Sequence, residues 1–539
     1  MPFEDLPDHR ARRTGASAGR TPTGAAHRGG SGSRRRVGSA TSTRTGTAAT
    51  AESGSNALRP ASRQAAIRRR MAVGGIAVVV VLGIVLATSY LYGLYRYQGI
   101  KKQRVAGLVP ATVSSENILL VGNSCRTCLN GKQAAAFGTA AQAGSGGGSD
   151  VVMVLHLNPA KHTASIISIP RDTFLPIAGT KTLNRINTSF TLGPSALVHT
   201  VEQDFGIPIS HYVSLNFDTF QTVVNQLGGL NMYFPNPVKD QYSGLNVPTA
   251  GCHHLNGFQA LSVVRARHLY YFANGQWNYD GMGDLSRIKR DHEFLRVLAA
   301  TVKAKGVNPL KINSVLTAIV PDLKVDSKLS YNHILGLGLA FSSINPAQIP
   351  SNTLPVYVDN QSLYFNNYDQ GQVVYPEQPQ DAKLFNSVLG THAPSLPKGV
   401  TVQVLNGSGI YHQAADVASQ LQSLGMSVTG TGNGPNTASF AETVIYYSPG
   451  HLNDAKALQA KLTGNVVMGE AKLPKGTDLQ VVTGNLLSVN TPTSASGGAP
   501  QPPSFASNLA VNSTPPHSAL APWDPTACPS GSQVTPIGG

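Results

Sequence analysis

The chain has 539 residues, of which 41% are hydrophobic and only 13% charged, with 55 glycines and 35 prolines; that is room for two or three domains with real cores, separated by long stretches without regular structure. The formal charge of +15 is uneven, because residues 1–70 hold fourteen arginines, no lysine and four acids, and so carry +10 of it. The remainder is close to neutral, which excludes nucleic acid as the partner of the folded part and leaves anionic membrane lipid as the natural contact of the basic segment.

Residues 1–70 are rich in Arg, Ser, Thr, Gly and Ala, lack apolar periodicity and are predicted to be a disordered tail. Residues 71–95, MAVGGIAVVVVLGIVLATSYLYGLY, carry no charge. As a helix they would run roughly 37 Å, more than a hydrocarbon core of ~30 Å needs. Tyr90, Tyr92, Tyr95 and Tyr97 gather at the far end as an interfacial belt. Arg68, Arg69 and Arg70 abut the near end, and Arg96, Lys101, Lys102 and Arg104 follow the far one. The heavier positive side stays in the cytoplasm, so residues 1–70 are expected inside and 96–539 outside, in a single pass. The apolar run is too long, and starts too late, for a cleaved signal peptide.

Beyond a short stem, NILLVG at 117–122 reads as a buried strand entering a glycine turn, and a Gly/Ala/Ser-rich loop covers about 130–149. VVMVLHL (151–157) and ASIISI (164–169) are strands joined through Asn158-Pro159. Helices are expected at 196–205 and 217–227. The segment 257–268 begins helical and passes into VVRAR, which reads as extended. A long amphipathic helix starts at Leu285, with Ile288, His292 and Leu295 on one stripe. A second small domain spans about 399–485, with strands at VTVQVL, ETVIYY and LQVVTG and helices around Val417 and Leu458. Alternation of this kind implies an α/β layer. Residues 486–539 are Ser/Pro/Thr/Gly-rich and predicted disordered. The fold class is therefore α/β: a central mixed sheet flanked by helices in a domain over 113–395, then the small α/β domain, after one transmembrane helix.

The chemistry-bearing residues are arginines and aspartates. Proline ends the strand at Ser168-Ile169-Pro170, so Arg171 and Asp172 should stand at the sheet's rim. If Val263 to Arg267 is extended, Arg265 and Arg267 point to one face. At ~5 Å and an effective dielectric of about 20 their repulsion is roughly 3 kcal/mol, tolerable with an anion between them. Asp284, Arg287, Arg290 and Asp291 lie on the first turns of the next helix, with Arg287 and Asp291 four apart on one face. Guanidiniums hold phosphates through bidentate hydrogen bonds and cannot lose their charge. The same spacings also fit solvated ion pairs worth ~0.2–0.5 kcal/mol each. The pattern indicates affinity for anions; catalysis does not follow from it.

These motifs carry a resemblance. NILLVG (117–122), SDVVMVLHL (149–157), SIISIPRD (165–172), LNRIN (183–187), ALSVVRARH (260–268) and GDLSRIKRDHEFL (283–295) together resemble the LytR-CpsA-Psr domain of Gram-positive cell-envelope enzymes. The small domain, opening with VQVLNGSG, resembles the LytR C-terminal domain, so the likeness covers about 115–485. It implies a mixed sheet with an apolar cavity for a polyprenyl chain, and transfer of a glycopolymer from a polyprenyl diphosphate carrier to peptidoglycan. It further implies that Arg171, Arg265 and Arg267 grip the diphosphate and that Asp150 binds Mg2+. Asp172, Asp284 and Arg287 then occupy other active-site positions, beside Arg290 and Asp291. Two positions depart from the family pattern: Ser124 stands near where an acid is usual, and Asp291 replaces a glutamine. Hydrolysis of the lipid diphosphate and a non-catalytic lipid-binding scaffold are the alternative functions.

Cys125 and Cys128 form a CxxC after a strand, a spacing shared with redox sites, but no other feature supports one. Outside the membrane a structural disulfide using two of Cys125, Cys128 and Cys252 is expected. The histidines show no metal-ligand spacing along the sequence.

Overall fold

The computed structural model describes residues 61–123, 148–304, 323–358, 362–365, 368–396, 398–434, 442–491 and 520–537. Helix α1 spans Ala61–Gln98, and its Val79–Gln98 portion is long and apolar enough to cross a membrane.

The central sheet has seven strands: β1 (Lys101–Gln103), β2 (Glu116–Asn123), β3 (Ser149–Asn158), β4 (Thr163–Ile169), β5 (His211–Asn216), β6 (Lys324–Asp326) and β7 (Ser351–Thr353). Their spatial order is β1-β6-β5-β2-β3-β4-β7. The β2–β3 and β3–β4 pairs are antiparallel, whereas β2–β5 and β4–β7 are parallel. The sheet is thus mixed, as expected.

The near-continuous apolar sequence of β2 to β4 follows from burial on both faces. Successive side chains alternate across the sheet. Leu119, Val121, Val152, Val154, Ile167 and Ile169 pack on one face against Leu197, Val198 and Val201 of the helix Pro194–Phe205. Leu120, Met153 and Val213 face the other way, toward helix α2 (Gly257–Arg265) and helix α3 (Asp284–Ala304). Asn256 caps α2 through a reciprocal capping box with Gln259. Gly257 lets α2 approach the helix before it, since a Cβ there would lie 2.2 Å from the Gln221 carbonyl oxygen.

VVRAR is corrected by this geometry: Val263, Val264 and Arg265 are the last residues of α2, and the chain turns extended only at Ala266. Ala260, Leu261 and Val264 are buried at helical spacing, which overrides the β preference of two valines.

The second domain builds a sheet from strands Ser427–Asn433, Thr401–Asn406, Leu479–Thr483, Thr443–Tyr447 and Leu462–Glu470, neighbours in that order. Helices Gln413–Ser423 and Leu452–Gln459 cover one face, where Ile445, Met468 and Val481 meet Leu421 and Leu458. Val444, Val467 and Val482 face the opposite way and join the core of the first domain. Strand Val374–Gln378 continues this sheet from the first domain by pairing with Leu462–Glu470. The strands Ser427–Asn433 and Leu462–Glu470 were missed in the sequence because glycines interrupt the first and the second follows a helix almost without a break.

The C-terminal tail is a second correction. Residues 520–537 return to the first domain: Thr526–Ala527 pairs with the strand Leu230–Phe234, and Val534–Pro536 pairs with Gly251–Leu255. Trp523 stacks on Tyr271 with ring centroids 4.0 Å apart. A disulfide joins Cys252 to Cys528, in place of the pairing expected among Cys125, Cys128 and Cys252; Cys125 and Cys128 lie outside the described residues. Low-complexity composition hid two short pairing segments that gain order only from partners almost three hundred residues upstream.

A candidate active site at the rim of the central sheet

Arg171 and Asp172 follow the end of β4, where Pro170 stops the ladder and the chain turns, with the Thr173 amide donating to the Pro170 carbonyl at 3.1 Å. Asp150 lies beside them because β3 pairs antiparallel with β4, Val152 opposite Ile169. Asp284 opens helix α3, where the helix dipole favours a carboxylate, and Arg287 comes one turn later. Arg267 enters from the chain after α2. The buried Asp240 fixes its backbone by accepting the amides of Arg267 and His268 at 2.8 and 2.9 Å.

These four elements converge. Arg171 pairs with Asp150, and its Nε lies 3.6 Å from Asp172 and 3.8 Å from Asp284. Arg267 bridges Asp172 through Nη2 at 3.0 Å and Asp284 through Nε at 3.1 Å. Arg287 lies 3.3 Å from Asp284, and its Nη2 donates to the Asp150 carbonyl oxygen at 2.7 Å. Arg185, in the LNRIN segment, adds a fourth guanidinium 3.5 Å from Asp172 and donates to the Gln370 carbonyl. Four guanidiniums therefore face Asp150, Asp172 and Asp284, with Asp291 3.8 Å behind Arg287, in a partly enclosed site. Burial opposes the charge of Arg287, but Asp284, Asp291 and Asp150 outweigh it and raise its pKa. Burial lowers that of Arg267 despite Asp284 and Asp172, so an added anion would favour its charged form.

An apolar cavity of 280 Å³ adjoins the cluster. Leu120, Met153 and Val213 of the sheet, with Phe294 and Leu295 of α3, form its walls. Asp291 lines it as well and also lies 3.8 Å from Arg287, so it stands where charged rim meets apolar interior. Burial pushes the Asp291 carboxyl up to about 7, against the pull of Arg287. His292 is turned to the core, where its Nε2 and the Ser168 hydroxyl are 2.7 Å apart, and burial brings it down to about 3.

Arg290 is corrected. It is fully buried and turned from the rim, donating to Asp524 at 2.9 Å, Asp280 at 3.3 Å and the Ala266 carbonyl at 2.6 Å. It anchors the returning tail instead of meeting a ligand. Arg265 is the half-buried last residue of α2. Ser124 lies outside the described residues. Arg185 and Asp240 escaped the sequence reading; the LNRIN motif was a signal for the first, and nothing local marks the second.

Oxygen donors suited to a hard divalent cation are present. Asn123 Oδ1 is buried without a hydrogen bond, and Asn123 ends β2 opposite Ser149, next to the Asp150 carboxylate. Carboxylate and amide oxygens are the donors magnesium selects.

A probable cell wall biosynthesis protein, LcpB of Corynebacterium glutamicum, is 29% identical over 330 residues, covering 60% of this chain and 72% of that protein. A polyisoprenyl-teichoic acid–peptidoglycan teichoic acid transferase, TagU of Bacillus mycoides, is 32% identical over 184 residues, 33% of this chain and 55% of its own length. Among solved structures, a LytR-Csp2A-Psr enzyme from Actinomyces oris aligns over 54% of this chain and 96% of that one, at 24% identity and a TM-score of 0.42. The LytR cell envelope-related transcriptional attenuator model matches residues 399–486. The LytR_cpsA_psr family model matches residues 96–386, more than half of the chain, and the protein belongs to that family.

Proposed function

We propose that this protein is a membrane-anchored phosphotransferase that moves a glycopolymer from a polyprenyl diphosphate carrier onto peptidoglycan, on the outer side of the cell membrane. One observation carries the reading: Arg171, Arg267 and Arg287 converge on Asp150, Asp172 and Asp284 at the mouth of an apolar cavity. A lipid diphosphate has both halves of that chemistry, two phosphates and a hydrocarbon tail. The names of the relatives, a teichoic acid transferase and a cell wall biosynthesis protein, support the same direction.

In this reading Arg171 and Arg267, joined by Arg265 and Arg185, hold the diphosphate, while Arg287 stabilises the charge that develops on phosphorus. The acceptor hydroxyl oxygen attacks the phosphorus that bears the glycopolymer. A new P–O bond forms, the bond to the bridging oxygen breaks, and polyprenyl phosphate leaves. Asp172 takes the hydroxyl proton. Asp150, with Asn123 beside it, would hold Mg2+, which would supply neutralising charge to the phosphate oxygens. The polyprenyl chain lies against Leu120, Met153 and Phe294. The basic segment 1–70 rests against anionic lipid in the cytoplasm.

The test uses the full chain in detergent with Mg2+, a polyprenyl diphosphate saccharide and peptidoglycan fragments, read by mass spectrometry. A phosphodiester adduct is expected, with Arg171→Ala slowing it at least 100-fold. Saccharide phosphate without adduct would make the protein a hydrolase. Lipid binding with no turnover in any condition would make it a scaffold.

A further inference from the structure

A second polar cluster lies at the opposite end of the same sheet. Glu116 is the first residue of β2 and His211 the first of β5, so both sit roughly 23 Å along the strand from the arginine rim. Glu116 is only 1% exposed. Its Oε1 lies 2.8 Å from His333 Nε2 and 3.9 Å from His211 Nε2. The three candidate ligand atoms all fall within 4.8 Å of one another. His333 comes from helix α4 (Tyr331–Ala340), whose N-cap Ser330 accepts the His333 amide.

The residue behind this trio is as telling as the trio. Asp326 is completely buried and accepts His211 Nδ1 at 3.0 Å. Backbone amides of Tyr212, Lys328 and Leu329 clamp the same carboxylate at 2.8 to 3.0 Å. An acceptor on Nδ1 fixes the tautomer, so the Nε2 lone pair of His211 points toward Glu116. A carboxylate that orients a histidine in this way is the usual support of a metal ligand. Two imidazoles and one carboxylate suit Zn2+, whose tetrahedral shell leaves the fourth place to water.

We propose that Glu116, His211 and His333 form a Zn2+ site, with Asp326 orienting His211, that ties the membrane-proximal helix α4 to the central sheet. Its position gives the tie a purpose. Tyr331 packs between Tyr90 and Tyr97 of α1, with ring centroids 5.4 and 5.9 Å away, and the Tyr90 hydroxyl donates to Asn332 at 2.9 Å. The metal therefore holds the segment on which the outer end of α1 rests, and it acts independently of the arginine site.

The experiment uses the full chain, purified in detergent with a tag free of histidine, stripped with EDTA, then titrated with Zn2+ and Co2+. One tight equivalent per chain is expected, with visible Co2+ bands of a four-coordinate site and no thiolate charge-transfer band. Glu116→Gln should weaken binding at least tenfold. So should His333→Gln, which changes a side chain already 34% exposed and leaves the core intact. His199→Ala, at an exposed histidine, should leave binding unchanged. Equal melting of wild type and His333→Gln in EDTA would verify folding. The proposal is overturned if the wild type retains no Zn2+, if His333→Gln binds as tightly, or if a thiolate band appears that Cys125→Ser removes.

Discussion

Cys528→Ser is the sharpest test of the returning tail. The disulfide joins residues 276 apart in sequence. Closing a loop of that length removes about 5–6 kcal/mol of chain entropy from the unfolded state, by the standard loop-closure relation. Native disulfides deliver about 2–5 kcal/mol of this, and the contacts of Trp523 and Asp524 remain in the variant. The expected loss is therefore about 3 kcal/mol, read as a lower urea midpoint for the full chain. Trp523 stacks on Tyr271, and Trp277 is the only other tryptophan, so fluorescence follows release of the tail directly. A second readout is covalent. With a protease site placed near residue 505, cleavage should leave one band without reductant and two with it. A loss under about 1 kcal/mol, or two bands without reductant, would refute the docked tail.

Leu120→Trp fills the 280 Å³ cavity from the sheet side; it should raise KM at least tenfold for a long-chain polyprenyl substrate and little for a short-chain one, and equal effects on both would disconnect the cavity from the lipid. Asp291→Asn tests the raised carboxyl. The folded-state pKa of about 7 lies above the ordinary value near 4, so the folded state holds the proton more tightly. Stability tied to that proton is complete below about pH 4 and is lost as pH rises through 7. The wild type should lose stability from pH 5 to 8 in urea melts, and the variant should show a flatter profile; parallel profiles would exclude this origin.

The arginine site was legible in part because its residues sit at places where local rules act. Pro170 marks a strand end, and Asp284 and Arg287 open a helix. The extended VVRAR did not hold, because burial of Ala260, Leu261 and Val264 keeps its first three residues helical. Arg290 looked equivalent to Arg287 along the helix, yet a net turn of about 60° and one further turn of rise set it beside Asp280 and Asp524 instead.

By itself the sequence determined the apolar span after a basic segment, the two α/β units, and which arginines and aspartates lie near strand and helix ends. Periodicity, charge and proline are local, so a single chain read in order displays them. Only the tertiary structure decided that the last eighteen described residues are pinned to the first domain, that Cys252 takes Cys528, and that Glu116, His211 and His333 meet. Those contacts join positions about 95 to 295 residues apart, and no local preference encodes such partners; they exist because strand pairing in the central sheet and in the sheet that takes up the tail brings distant parts of the chain together.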